Sequence, residues 1–360
     1  MASQNRKVVM IEGDGIGPEL CAAVRTVIAA TGAPIEWVMA EAGLGALERT
    51  GTPLPAATVA LLRDHGVGIK GPTMTPTGEG HRSVNVRLRE ELDLFAGVRP
   101  VRKIAGVHHP LAELSRPVDL VVIRENLEDL YVGLEHDGGD HPQCIAWGIP
   151  NDAKIALKVI TPERTERICR YAFEYAHQRG RKKVTCVHKA NILKQTDGLF
   201  LRIFREVAKE YPGIAANDVI VDAMAMRLVR NPEQFDVLVC PNLYGDILSD
   251  LAAALVGGLG VVPGANIGNG CALFEAVHGT APDIAGQGKA NPTALLLSAC
   301  MMLKHLGELK ITDRLERSIV EQIQFGASTP DIGGISTTMQ VAESIAHQYR
   351  TLAEYEDREQ

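Results

Sequence analysis

The stretch Asp236-Val237-Leu238-Val239-Cys240-Pro241-Asn242-Leu243-Tyr244-Gly245-Asp246-Ile247-Leu248-Ser249-Asp250-Leu251 changes its hydrophobic period part-way along. Asp236 to Cys240 reads as a strand buried on both faces, because its apolar run is continuous rather than alternating. From Tyr244 to about Val256 the spacing becomes helical, and Gly257-Gly258-Leu259-Gly260 breaks it. A buried strand passing directly into a helix is the repeating unit of α/β folds. Outward from this point the unit recurs, with apolar runs at Val184 to Val187, Val118 to Ile123, Val67 to Ile69 and Val8 to Ile11. Amphipathic stretches lie between them. Pro18 to Ala30 is one; another opens at Thr161-Pro162-Glu163, presents Ile168, Tyr171, Ala172 and Tyr175 on one face and stops at Gly180. The pattern predicts an α/β chain with largely parallel strands, a domain crossing near Gly257, and a projecting β-hairpin within Tyr131 to Pro150 around Gly138-Gly139.

The chain's 360 residues, 46% hydrophobic and 22% charged, suffice for two domains with substantial cores. Lys plus Arg number 37 against 44 acidic residues, giving a net charge of −7, so no general basic field exists to draw nucleic acid or an anionic membrane. Anions must be captured locally. Val8 to Ile11 is far too short an apolar run for a signal core or a membrane span, which predicts an intracellular protein. Seven cysteines without a Cys-x-x-Cys pair read as reduced core thiols.

Three groups of residues carry chemistry. Asp246 and Asp250, four apart, fall on one helical face, where like charges repel unless a cation joins them. They read either as a solvated pair or as half of a site whose hard oxygen ligands favour Mg2+ or Mn2+ over zinc, with Asp222 after Val219-Ile220-Val221 as a candidate third ligand. Arg89, Arg99 and Arg124 form the second group, since guanidinium forks match carboxylates. Arg124 stands out because it ends an apolar run, where a buried charge needs a partner. Tyr131 and Lys189 are candidate proton handlers, Lys189 directly following a buried strand. Gly13-Asp14-Gly15-Ile16-Gly17-Pro18 departs from the dinucleotide glycine motif by one residue and reads as a strand-to-helix turn. The segment His278-Gly279-Thr280-Ala281-Pro282-Asp283-Ile284 is a polar loop ahead of a helix near Asn291-Pro292, and its acidic residue suits a free ribose diol.

Together these motifs resemble the β-decarboxylating dehydrogenases, the family of isocitrate, 3-isopropylmalate, homoisocitrate and tartrate dehydrogenases. The likeness runs over nearly the whole chain, through 13–18, Asn85-Val86-Arg87-Leu88-Arg89, Arg124-Glu125-Asn126, His188-Lys189-Ala190-Asn191, 242–250 and 278–283, and is to NAD-dependent isocitrate dehydrogenases in particular. It implies a two-lobed α/β/α fold rather than a Rossmann fold. The large lobe, 1–100 with 255–360, would carry the NAD site; the small lobe, 101–254, would carry substrate and metal residues and a dimer interface. The resemblance implies that Ser83, Asn85, Arg89, Arg99 and Arg124 bind substrate and that Tyr131 and Lys189 are catalytic. Asp222, Asp246 and Asp250 would hold Mg2+ or Mn2+, with Lys189 and Asp222 reaching across the dimer. NAD would rest on Thr75, Asn85, His278, Gly279, Thr280, Ala281, Pro282, Asp283, Ile284, Asn291 and Asp331.

Ser83 and Asn85 stand where isocitrate enzymes have a hydroxyl and an amide and isopropylmalate enzymes have glutamate and leucines, so the resemblance implies isocitrate as substrate. Asp283-Ile284, Pro330 and Gly334 replace the residues that NADP relatives place on the 2′-phosphate, which implies NAD. Other substituted malates are the alternative substrates, and a regulatory subunit of a heteromer is the alternative role. The compartment implied is the cytoplasm, or the mitochondrial matrix in a eukaryote.

Overall fold

The computed structural model describes residues 5–78, 80–107, 117–139 and 142–359. Its strands are β1 (Arg6–Ile11), β2 (Ile35–Ala40), β3 (Val67–Lys70), β4 (Ala96–Arg102), β5 (Asp119–Glu125), β6 (Glu135–Asp137), β7 (Lys154–Ala156), β8 (Lys183–His188), β9 (Ala215–Ile220), β10 (Val237–Cys240), β11 (Pro263–Ile267) and β12 (Ala272–Ala276). Its helices are α1 (Gly17–Thr31), α2 (Leu44–Thr50), α3 (Ala56–His65), α4 (Val84–Glu91), α5 (Pro142–Ala146), α6 (Pro162–Gln178), α7 (Thr196–Ala208), α8 (Val221–Arg230), α9 (Asn242–Ala254), α10 (Thr293–His305), α11 (Leu309–Phe325) and α12 (Thr338–Glu359). The apolar runs read from the sequence are therefore strands, and the stretches between them helices.

Ten strands form one sheet in the order β2-β1-β3-β12-β11-β4-β5-β10-β8-β9. Pairings are parallel except where β11 meets β12 and β4, and where β4 meets β5. This order interleaves the two ends of the chain with its middle and is not that of a Rossmann sheet. Strand alternation sends side chains to two cores. Val8 and Met10 pack with Leu20 and Val24 of α1, whereas Val9 and Ile11 pack with Leu62 of α3 and Leu88 of α4. Each such fully buried side chain contributes about 1.5–3 kcal/mol relative to exposure, so covering both faces stabilises the central strands strongly. All seven cysteines are buried and free, and burial pushes the Cys21 thiol up to about 12.

The expected hairpin is corrected. β6 pairs antiparallel with β7, which lies beyond Pro150, and α5 occupies part of the intervening segment. Gly138 and Gly139 extend the pairing rather than turn it, donating to the carbonyls of Ala153 and Asn151 at 2.7 and 2.8 Å. Pro142, suited to a helix's first turn, starts α5 where the hairpin reading needed extended chain. Asp140 and His141, within that reading, lie outside the described residues.

The turn reading of 13–18 holds. The Asp14 carboxylate accepts backbone N–H groups from Leu44 and Met74, both at 2.7 Å, pinning two distant loops. Gly15, at φ 58°, brings the turn against Thr280, whose carbonyl accepts the Ile16 N–H at 3.0 Å.

Candidate active site

Register places a row of charge across five neighbouring strands. Lys70 on β3 faces Glu275 on β12, Glu275 faces Gly264 on β11, Asn266 faces Gly97 on β4, and Gly97 faces Arg124 on β5. Residues paired directly, or two apart on one strand, share a face, so Lys70, Glu275, Asn266, Arg99 and Arg124 all project from the same side of the sheet. Above this row lies a cavity of about 140 Å³ lined by Lys70, Thr73, Asn85, Arg89, Arg99, His278 and Gly279, among others. Its apolar lining is limited to proline, alanine and valine side chains.

The cations are anchored from behind. Glu275 accepts from Asn266 at 2.6 Å and pairs with Lys70 at 2.6 Å and Arg89 at 3.5 Å. Burial would raise its carboxyl, but Lys70 and Arg89 hold it down at about 2. Arg89 donates to the Asn266 side-chain carbonyl at 3.1 Å, and burial together with Arg124 lowers its guanidinium to about 10. Arg99 is lowered in the same way, first by burial and then by Arg124. Buried arginines that disfavour one another's charge are ready for an anion, because a bound carboxylate relieves that repulsion.

The helix predicted to carry the aspartates begins at Asn242, where β10 ends, and sets Asp246, Ser249 and Asp250 on one face. Arg124, 1% exposed, donates to Asn242 at 2.9 Å and pairs closely with Asp246. Arg99 lies 3.4 Å from Asp246, 3.5 Å from Asp250 and 2.5 Å from the Ser249 hydroxyl. The Tyr131 hydroxyl donates to Asp246 at 2.5 Å, and its ring lies 4.8 Å from the Arg124 guanidinium. Burial would raise the Asp246 carboxyl, yet Arg124, Arg99 and Tyr131 keep it below the ordinary value. Asp250 is pushed up, by burial against the pull of Arg99, with Asp246 adding to the rise. Burial also raises the Tyr131 phenol, which therefore holds its proton at neutral pH.

Lys189 and Asp222 form a separate pair at 2.5 Å. Lys189 follows β8, and Asp222 lies in the first turn of α8 just past β9; β8 and β9 are parallel neighbours that end at the same edge. Among the described residues no hydrogen bond or ion pair joins them to Arg124, Tyr131, Asp246 or Asp250, and no group of three metal-ligating side chains gathers. Asp246 and Asp250 thus offer two hard oxygen donors one helical turn apart, a pair that fits Mg2+ or Mn2+ and gathers no third such ligand among the described residues.

The loop after β12 begins in the cavity with His278 and Gly279 and then leaves it. Burial lowers the His278 imidazole, whose Nε2 is buried without a hydrogen-bond partner among the described residues. Thr280 is buried against the 13–18 turn, Ala281 has φ 37°, Pro282 and Asp283 are exposed, and Ile284 is half-buried. The Asn291 side chain accepts the N–H of Thr293, the first residue of α10, at 3.0 Å and donates to Asp331 at 2.9 Å. A neutral imidazole with a free nitrogen, an exposed carboxylate and an open Gly279 fit a dinucleotide on this loop. Asn85 lines the cavity and accepts from Thr73 at 3.1 Å; Ser83 is the cap residue of α4 and Thr75 is exposed, and neither lines it.

The family model for isocitrate/isopropylmalate dehydrogenase matches residues 7–346. This chain belongs to the isocitrate/isopropylmalate dehydrogenase family. It is 47% identical over 352 residues to a probable mitochondrial NAD isocitrate dehydrogenase subunit alpha of Caenorhabditis elegans, covering 96% of this chain and 93% of that protein. It is 46% identical to a 3-isopropylmalate dehydrogenase of Archaeoglobus fulgidus, covering 95% and 98%. A crystal structure of isocitrate dehydrogenase from Methylococcus capsulatus matches with a TM-score of 0.89 at 50% identity, over 96% of this chain and 99% of that one.

Within this dehydrogenase family's fold, sequence reasoning missed the groups that hold the arginines in place: Lys70, Asn266 and Glu275 behind Arg89, and Asn242 and Ser249 beside Arg124 and Arg99. One signal was available for Lys70. It ends the apolar run Val67-Gly68-Ile69 as Arg124 ends its own, and a charge so placed needs a buried partner.

Proposed function

We propose that this chain catalyses oxidative decarboxylation of isocitrate to 2-oxoglutarate with NAD, dependent on Mg2+ or Mn2+. The observation that carries the reading is the convergence of Arg89, Arg99 and Asn85 on one small, mainly polar cavity, with Arg124 beside it sharing Asp246 with Arg99. Isocitrate has three carboxylates and so matches a site with several guanidinium groups. An alkyl substituent would leave buried donors unpaired, which costs about 1–3 kcal/mol for each group. The second reading, a 3-alkylmalate, rests on the 46% identity to a 3-isopropylmalate dehydrogenase.

In this reading the arginines and Asn85 orient the substrate, and the Asp246–Asp250 face would hold the divalent ion with Asp222. The ion, when bound, favours ionisation of the substrate hydroxyl and stabilises enolate charge. Residues 278–284 with Thr75, Asn291 and Asp331 would hold NAD, which would supply the hydride acceptor. Lys189 takes the hydroxyl proton as the C–H bond gives up its hydride. The bond to the β-carboxylate then breaks, CO2 leaves, and the electron pair remains as an enolate. Tyr131, protonated at neutral pH, delivers a proton to carbon.

Lys189 and Asp222 would come from a second copy or a related subunit. Ile145 on α5, Trp147 in the turn after it, Ile192 after β8, Met226 on α8 and Ile247 on α9 are exposed and supply apolar surface for such an association. The name subunit alpha belongs to the nematode relative and makes a heteromer the alternative assembly. Two lobes, 1–100 with 255–360 and 101–254, would meet between β4 and β5, with the NAD site on the first.

The test is NADH formation by purified protein with Mn2+ and each of isocitrate, homoisocitrate and isopropylmalate, in NAD and in NADP. Metal-dependent turnover with isocitrate and NAD supports the reading. Turnover with an alkylmalate alone overturns the substrate assignment, and no turnover at all points to a regulatory subunit.

A further inference from the structure

Beneath the two separated groups of site residues lies an ion cluster for which the chemistry above has no use. Lys158, in the segment between β7 and α6, places its ammonium 2.8 Å from Asp197 and 3.3 Å from Asp129. The lysine side chain is 13% exposed and both aspartates are 0% exposed. The same ammonium lies 4.4 Å from the centre of the Tyr244 ring, and the Tyr244 hydroxyl hydrogen-bonds to Asp197. Two fully buried carboxylates around one cation form a demanding arrangement, since desolvation is offset only by good geometry and further hydrogen bonds.

Those further bonds lead to the site. The other oxygen of Asp197 accepts the backbone N–H of Lys189 at 2.7 Å, fixing the loop that carries the lysine. The other oxygen of Asp129 accepts the N–H of Leu243 at 2.9 Å, fixing the first turn of the helix that carries Asp246 and Asp250. Asp129 also immediately precedes the 3-10 turn Leu130–Val132, which carries Tyr131. Its φ of 70° lies where side-chain-bearing residues are rarely found, and its own N–H is held by the Val159 carbonyl at 2.8 Å, one residue beyond Lys158. Strained backbone of this kind persists only where its surroundings over-determine it.

We propose that Lys158 is a positioning residue, joining through Asp129 and Asp197 the segments that carry Tyr131, Asp246 and Lys189. Resting on the functional reading above, the joint ties the half of the site that a subunit keeps to the half it lends to its neighbour. A displacement at one site then reaches the other through a single buried ammonium.

The test uses the full-length protein as Lys158→Gln and Asp129→Asn, with amide hydrogen exchange and steady-state kinetics. Asp129 does not touch Lys189, so a joint is revealed when Asp129→Asn speeds exchange at the Lys189 amide as well as at Leu243. Lys158→Gln should speed both while the β1 and α10 amides keep their protection. Its kcat should fall by about tenfold or more with the isocitrate KM within about threefold, since ground-state contacts are untouched. Unchanged exchange at Lys189 in Asp129→Asn overturns the joint, as does wild-type kcat in folded Lys158→Gln. Equal loss of protection along the whole chain also overturns it, assigning the cluster to stability alone. If wild-type protein turns over none of the substrates, the functional reading fails while the exchange experiment still decides the joint.

Discussion

A β-carbon added to Gly245 would lie 2.7 Å from Cγ of Arg124 and 2.8 Å from its Cβ. The absence of a side chain at Gly245 is therefore what lets α9 settle on β5 closely enough for Arg124 to pair with Asp246, the next residue. Because the clash involves the root of Arg124 rather than its flexible end, Gly245→Ala must shift the helix or the strand. Overpacking of this kind costs about 1–3 kcal/mol. The expected outcome is a lower Tm and a kcat/KM for isocitrate reduced by about tenfold or more, from displacement of the Arg124–Asp246 pair. Unchanged kinetics would show that this pair is not part of the working site.

Tyr131→Phe removes the hydroxyl that donates to Asp246 but leaves the ring beside Arg124. If the phenol delivers the final proton, kcat should drop by about a hundredfold or more with little change in the isocitrate KM. Rapid-quench measurement of NADH, CO2 and 2-oxoglutarate checks it. A rise in KM at constant kcat would instead make Tyr131 a binding residue.

How much of this site could be read from the chain follows from how far its partners lie apart in sequence. Asp246 and Asp250 were legible because helical spacing alone puts them on one face, and Arg124 because a charge ending an apolar run announces a buried partner. Asn266 and Glu275 were not. They meet Arg89 only because β11 and β12 insert between β3 and β4, an order that local periodicity does not encode. The same applies to Lys158, Asp129 and Asp197, each unremarkable locally and joined only by long-range packing. The fold was easier to read, since each strand and helix carries its own period. The hairpin at Tyr131 to Pro150 was misread where β6 pairs past an intervening helix.

Asp246→Asn should weaken metal dependence. The substitution keeps the shape of the side chain but removes one of two carboxylates on the face of α9 that meets the arginines, leaving Arg99 and Arg124 without that charge. Hard divalent cations bind through charged oxygen ligands, so the Mn2+ concentration for half-maximal activity should rise by about tenfold or more. A metal titration at saturating isocitrate and NAD is the measurement, and an unchanged midpoint would remove Asp246 from the ligand set.

Glu125 gives stability a pH dependence of definite sign. Its carboxylate accepts the N–H groups of Leu127 and Glu128 at 2.8 to 3.0 Å. Burial, with Glu128 adding to it, nevertheless pushes the carboxyl up from 4.5 to about 7. The folded state therefore binds this proton more tightly than the unfolded chain does. Stability from this group is fully present below 4.5 and is lost as pH rises through about 7. A shift of that size corresponds to about 3 kcal/mol, an order-of-magnitude figure. Glu125→Gln retains an acceptor for the backbone donors and cannot ionise. The difference in unfolding free energy between variant and wild type, measured by urea denaturation across this range, should move in favour of the variant as pH increases. A difference independent of pH would mean that Glu125 titrates alike in the folded and unfolded chains.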